Sequence, residues 1–108
     1  MAAAIVDLDI NEGDTFIMTM ELWEDEDNTI PIDVSGDTFI GSFEFSGANI
    51  PMVVVLKPST VNVIEASVTY SMMTNLPSKG KYDIDQLSGT ERYRLIQGTV
   101  RVNAEVTK

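Results

Sequence analysis

Between Thr15 and Leu22 apolar side chains stand at every second residue: Phe16, Met18, Met20 and Leu22 alternate with Thr15, Ile17, Thr19 and Glu21, of which all but Ile17 are polar. Only an extended chain has a side-chain period of two, so this segment is a strand with one face toward a core. The pattern recurs along the chain. Val6, Leu8 and Ile10 alternate with Asp7 and Asp9, and Phe39, Gly41, Phe43 and Phe45 share a face opposite Ile40, Ser42 and Glu44. Met52 to Leu56 is a continuous apolar run, the mark of a strand buried on both faces. Val61 to Val68, Tyr82 to Leu87 and Glu91 to Val106 complete the set. The last is one long strand or two broken near Gly98. Its apolar spacing reverses around Gln97-Gly98, which predicts a bulge there. Only Tyr70 to Leu76, closed by Pro77 and Gly80, is predicted to be helical, for one or two turns.

Turn chemistry separates these runs. Asn11-Glu12-Gly13-Asp14, Ser46-Gly47-Ala48-Asn49 and Ser88-Gly89 are turns. Glu24-Asp25-Glu26-Asp27-Asn28 cannot enter a core and is a loop tip. About seven strands at turn intervals of ~8–15 residues predict an all-β chain. The best match is an immunoglobulin-like β-sandwich with one short helical turn, forming a single domain over residues 1–108. Two residues carry structural expectations. Tyr82, just after Gly80, stands where a tyrosine corner sits in such sandwiches, the alternative being an ordinary half-buried ring. Gly98, in a strand, marks a bulge or a close approach of backbone.

Composition narrows the chemistry. The 108 residues include no Cys and no His, which removes disulfides, thiolate metal sites, Cys nucleophiles and the commonest general base. Asp7 with Asp9, and Asp83 with Asp85, are paired carboxylates at i, i+2, and a solvated strand face explains them more simply than a glycosidase cleft. The 24–28 tip lacks the Gly and the final Glu of a helical calcium loop, so a solvated loop tip is expected, a weak ion held by its carboxylates is the alternative, and no cofactor is expected. Activity as an enzyme is not expected. The net charge of −10 opposes binding to nucleic acid. No apolar run approaches the ~20 residues of a membrane helix, and Met1 to Ala4 lacks the basic flank of a secretory signal. The charge is unevenly spread. Residues 1–56 hold 12 acidic side chains and no Lys or Arg, −12; residues 57–108 hold 7 basic against 5 acidic, +2. Such asymmetry either solubilises the fold or orients a subunit toward a basic neighbour.

Three segments carry a family likeness: Gly13-Asp14-Thr15-Phe16; Pro31-Ile32-Asp33-Val34-Ser35-Gly36; and the C-terminal set Gly80-Lys81-Tyr82-Asp83-Ile84, Tyr93 to Val102 and Glu105-Val106-Thr107. In this order and spacing, with Leu76-Pro77 before Gly80, the chain resembles the small immunoglobulin-like structural proteins encoded among tail, baseplate and tail-fibre genes of tailed bacteriophages. The resemblance implies a non-enzymatic virion component, assembled in the host cytoplasm: an adaptor, a baseplate element or a fibre-attachment subunit. Its partners would be other virion proteins, with several copies or a homo-oligomer in each particle. A capsid decoration subunit is the alternative within that class. A small carbohydrate-binding module for host attachment is the alternative outside it, and 1 Trp and 3 Tyr are few for sugar stacking, with Tyr82 and Tyr93 expected to face inward.

The expected contact region is a strand edge or the face bearing Ile17 and Trp23, beside the acidic tip Glu24, Asp25, Glu26 and Asp27. Phe16, Met18, Met20 and Leu22 supply the core face of their strand. Ile17 and Trp23 therefore fall on the other face, where a lone sandwich shows polar side chains.

Overall fold

The computed structural model describes residues 4–25 and 27–104. Eight strands form: β1 (Ala4–Ile5), β2 (Leu8–Asn11), β3 (Phe16–Glu21), β4 (Thr38–Phe45), β5 (Ala48–Leu56), β6 (Val63–Val68), β7 (Lys79–Ser88) and β8 (Glu91–Asn103). In space they run β1-β8-β7-β4-β5-β6-β3, with β2 also beside β8. The pairs are antiparallel except that β1 and β2 lie parallel to β8. Strand β5 joins the two layers. Its first part, Ala48 to Met52, pairs with β4, and its second, Val53 to Leu56, pairs with β6. The sheet thus curls over itself into a sandwich, as the alternation requires.

The core fills the space between the layers. Phe16 of β3 meets Phe43 of β4 edge to face at 4.9 Å between ring centres, and Ile64, Ile84 and Val100 are fully enclosed around them. The β3 alternation is read correctly: Phe16 is buried, Met18 and Met20 are half-buried, and Ile17, Thr19 and Glu21 are exposed.

Four expectations need correction. The 52–56 run is not buried on both faces. It lies in a layer covered on one side only, so Val53 and Val55 face outward while Met52 is buried. The helical stretch shrinks to a 3-10 turn over Tyr70–Met72, because Thr69 makes no side-chain cap bond and Asn75 takes a positive φ. Strand β8 runs unbroken past Gly98, and the extra residue of its register shift is Leu95, since Ile84 pairs with Ile96 while Asp85 pairs with Arg94. The shift turns Leu95 and Ile96 both inward, which is the source of the reversed spacing. Tyr93 is exposed rather than internal, its hydroxyl bonded to the Glu91 carboxylate.

Gly98 marks a crossing of chains instead of a bulge. The first extended segment breaks at Val6-Asp7, and this break lies directly on Gly98. A Cβ at Gly98 would collide with the Val6 carbonyl. The Val6 N–H donates to the Gln97 carbonyl at 3.0 Å, and the Thr99 N–H donates to the Asp7 carboxylate at 3.1 Å. Tyr82, paired with Gly98 across β7–β8, donates its hydroxyl to the same Val6 carbonyl at 2.5 Å. The buried ring therefore tethers the first strand and does not reach a few residues back along its own chain as a tyrosine corner would. Gly98→Ala should cost ~1–3 kcal/mol by forcing backbone apart, and Tyr82→Phe about 1 kcal/mol for the lost hydrogen bond. Urea unfolding measures both. The double variant should lose less than the sum, because the two changes act on one carbonyl; a neutral Gly98→Ala would contradict the crossing.

Candidate functional site

Among the described residues, strand β3 is the free end of its layer, with β6 as its one hydrogen-bonded neighbour. The Leu22 N–H donates to the Asn62 carbonyl at 2.9 Å, just past the end of the β3–β6 pairing. Antiparallel ladders alternate, so Phe16, Met18 and Met20 also direct their backbone groups to β6. Ile17, Thr19 and Glu21 direct theirs to the open side. That side borders a groove of about 330 Å³, lined by Leu8 and Ile10 of β2, by Asp14 to Met18 and by Met73.

The outward face of the same layer is more apolar than the β3 pattern alone indicates. Ile17 is 61% exposed, Val53 64% and Val55 49%. The register sets Ile17, Ser67 and Val53 in one row and Thr19, Glu65 and Val55 in the next. Sequence reasoning found Ile17 but missed Val53 and Val55, since a continuous apolar run hides which of its residues face outward. Trp23 does not join this row. It lies six residues beyond Ile17, about 20 Å at the usual strand rise. It is bridged to Pro31 and half-buried, with its indole N–H enclosed and no acceptor among the described residues.

The acidic tip is partly consumed by its own loop. Asp25 accepts the Thr29 and Ile30 N–H groups, each at 2.9 Å, and the Thr29 hydroxyl as well. Glu24 and Asp27 are exposed, and Glu26 lies outside the described residues. No cluster of three or more Asp, Glu, His or Cys suited to a metal occurs among the described residues. Nor is any described helix long and apolar enough to cross a membrane.

A further carboxylate turned out to be structural. Asp85, read as one of a solvated pair, is buried and held by Arg92 Nε at 2.7 Å and Arg94 Nε at 2.5 Å. The extra residue at Leu95 brings Arg94 opposite it. Two arginines at i, i+2 after a hairpin turn were the available signal.

Several carboxylates titrate below their ordinary range. The Thr99 backbone N–H lowers Asp7, the Thr29 hydroxyl and then the Ile30 N–H lower Asp25, and the Ser35 hydroxyl and N–H lower Asp33. These bonds favour the ionised form in the folded state only. Their stabilisation is therefore present above the unfolded carboxylate value of about 3.8 and is lost as pH falls through the lower folded values. The melting temperature should fall as pH drops below about 3.8; a flat or rising profile there would show that these bonds do not form.

No protein-family model matches the chain, and no curated protein does. Solved structures do. The crystal structure of InlP from Listeria monocytogenes superposes with a TM-score of 0.51 at 18% identity, over 91% of this chain and 26% of InlP. The chain thus spans about a quarter of that protein's length. The second immunoglobulin domain of the mouse polymeric immunoglobulin receptor superposes with a TM-score of 0.50 at 7% identity, over 96% of this chain and 99% of that domain. At such identities the likeness is one of fold. The chain is an all-β, immunoglobulin-like sandwich.

Proposed function

We propose that this chain is a non-enzymatic structural subunit of a tailed-bacteriophage particle, a tail, baseplate or tail-fibre adaptor present in several copies and docked on another virion protein. The reading begins with the ordered segments Gly13 to Phe16, Pro31 to Gly36 and Gly80 to Val102, which resemble that group of proteins. The observation that carries it is the outward face of the β3–β6–β5 layer. Ile17, Val53 and Val55 project there beside Glu21 and Glu65. A free-standing sandwich shows polar side chains on such a face, whereas apolar side chains ringed by charge suit a subunit contact. The acidic residues orient the approach of a basic neighbour and make the association salt-sensitive.

Particles assembled with Val53→Lys/Val55→Lys test the reading. Both side chains are exposed, so the double variant should fold and melt near the parent, and it should be missing from purified particles. A folded variant that enters at normal copy number would rule this face out. Absence of the parent chain from every particle would rule out the virion reading, and density on the head instead of the tail would make it a decoration subunit.

A further inference from the structure

The open edge of β3 has a feature that the face does not explain. Natural sheets shield their edge strands with charges, prolines, bulges or short length. Strand β2 follows that rule, with four residues that include Asp9 and Asn11. Strand β3 does not. Its six residues, Phe-Ile-Met-Thr-Met-Glu, contain no proline and no bulge, and their one charge is the terminal Glu21. The backbone N–H and C=O groups of Ile17, Thr19 and Glu21 face the open side, where the groove beside β2 runs along Asp14 to Met18. The groove has an apolar floor, in which Leu8, Ile10 and Met18 are only half-covered. Asp9 and Asp14 stand on its rim, and among the described residues no Lys or Arg lines it.

We propose that the β3 edge binds an extended segment of a partner protein as an added antiparallel strand, one with alternating apolar side chains and flanking Lys or Arg residues. The main chain of that segment pairs with Ile17, Thr19 and Glu21. Its alternate side chains cover Leu8, Ile10 and Met18. Its basic flanks meet Asp14 at one end and Glu21 at the other. Main-chain pairing supplies affinity and the groove supplies selectivity, the usual division in strand addition. A second copy of this chain is a poor occupant, because it would bring two acidic rims and two molecules of charge −10 together. The proposal names the chemistry of the docking partner suggested above, and its test uses no virus particle, so the two readings fail separately.

The probe is a synthetic peptide, Lys-Val-Thr-Val-Thr-Val-Lys, titrated into isotope-labelled protein at low salt. Saturable amide shifts should centre on Ile17, Thr19 and Glu21 and spread to Leu8 and Ile10. The same peptide with Glu for both Lys should bind at least about tenfold more weakly. Thr19→Pro removes an N–H that faces the open side, a change that edge strands tolerate; it should abolish binding while leaving the fold and melting temperature close to the parent. Asp14→Asn should weaken the lysine peptide about threefold and leave the fold intact. Absence of saturable shifts at these amides, equal binding of the two peptides, full binding to folded Thr19→Pro or to Asp14→Asn, or a stable dimer paired through β3 would each overturn the proposal.

Discussion

The crossing of Val6 over Gly98 governs much of what the rest of the molecule can do. At that point the chain leaves β1, passes without a side chain beneath it, and continues as β2, parallel to the same strand β8. The Tyr82 hydroxyl holds the Val6 carbonyl from the neighbouring strand, and the Asp7 carboxylate takes the Thr99 N–H. Burial, and then the nearby Asp7 charge, push the Tyr82 phenol above its ordinary value, which extends its range as a donor further into alkaline pH. The described N-terminal strands are therefore committed to one layer. The consequence appears across the sandwich, where β3 has, among the described residues, a neighbour on one side only. The clamp and the open edge are two aspects of one arrangement.

Charge is distributed in keeping with this. Among the described residues, the ion pairs join Lys81, Arg92 and Arg94 of β7 and β8 to Glu44, Asp83 and Asp85. The basic half of the chain thus spends much of its charge on its own layer. Its most buried use is Asp85, where two guanidinium groups compensate a carboxylate that burial alone would disfavour. The acidic residues near β2 and β3 are spent differently. Asp7 and Asp25 bond to backbone N–H groups, while Asp14 and Glu21 remain at the open edge. The 12 to 0 imbalance of acids over bases in residues 1–56 reaches the surface as an acidic border around an apolar strand.

The sequence reveals more of the fold than of the site, for physical reasons. A period of two is a local property, so β3 and β4 were readable residue by residue, and β7–β8 was readable as strands but not in the facing of Asp85 and Tyr93. Pairing partners are not local. Nothing in Val6-Asp7 shows that it will lie on Gly98 some ninety residues later, and Gly98, readable equally as a bulge or a close approach, was the trace of that contact. The Met52 to Leu56 run misled because an unbroken apolar stretch does not say which face is covered. That depends on β5 changing layers at Met52-Val53, which only the pairing determines. Ile17 was visible as an apolar residue on a polar face. The open edge beneath it was not, because an edge is defined by the strand that is missing.

Native-state hydrogen exchange of β3 in the isolated chain tests the account most directly. Each amide reports whether it has a partner, and the ladder alternates. The account predicts slow exchange at Met18, Met20 and Leu22, which face β6, and at Val6, whose N–H is held by Gln97. Ile17, Thr19 and Glu21, between them in sequence, should exchange nearly as fast as an unstructured chain. Slow exchange at these three amides in the monomer would mean that the edge is already covered, and would contradict both the strand topology and the function built on it.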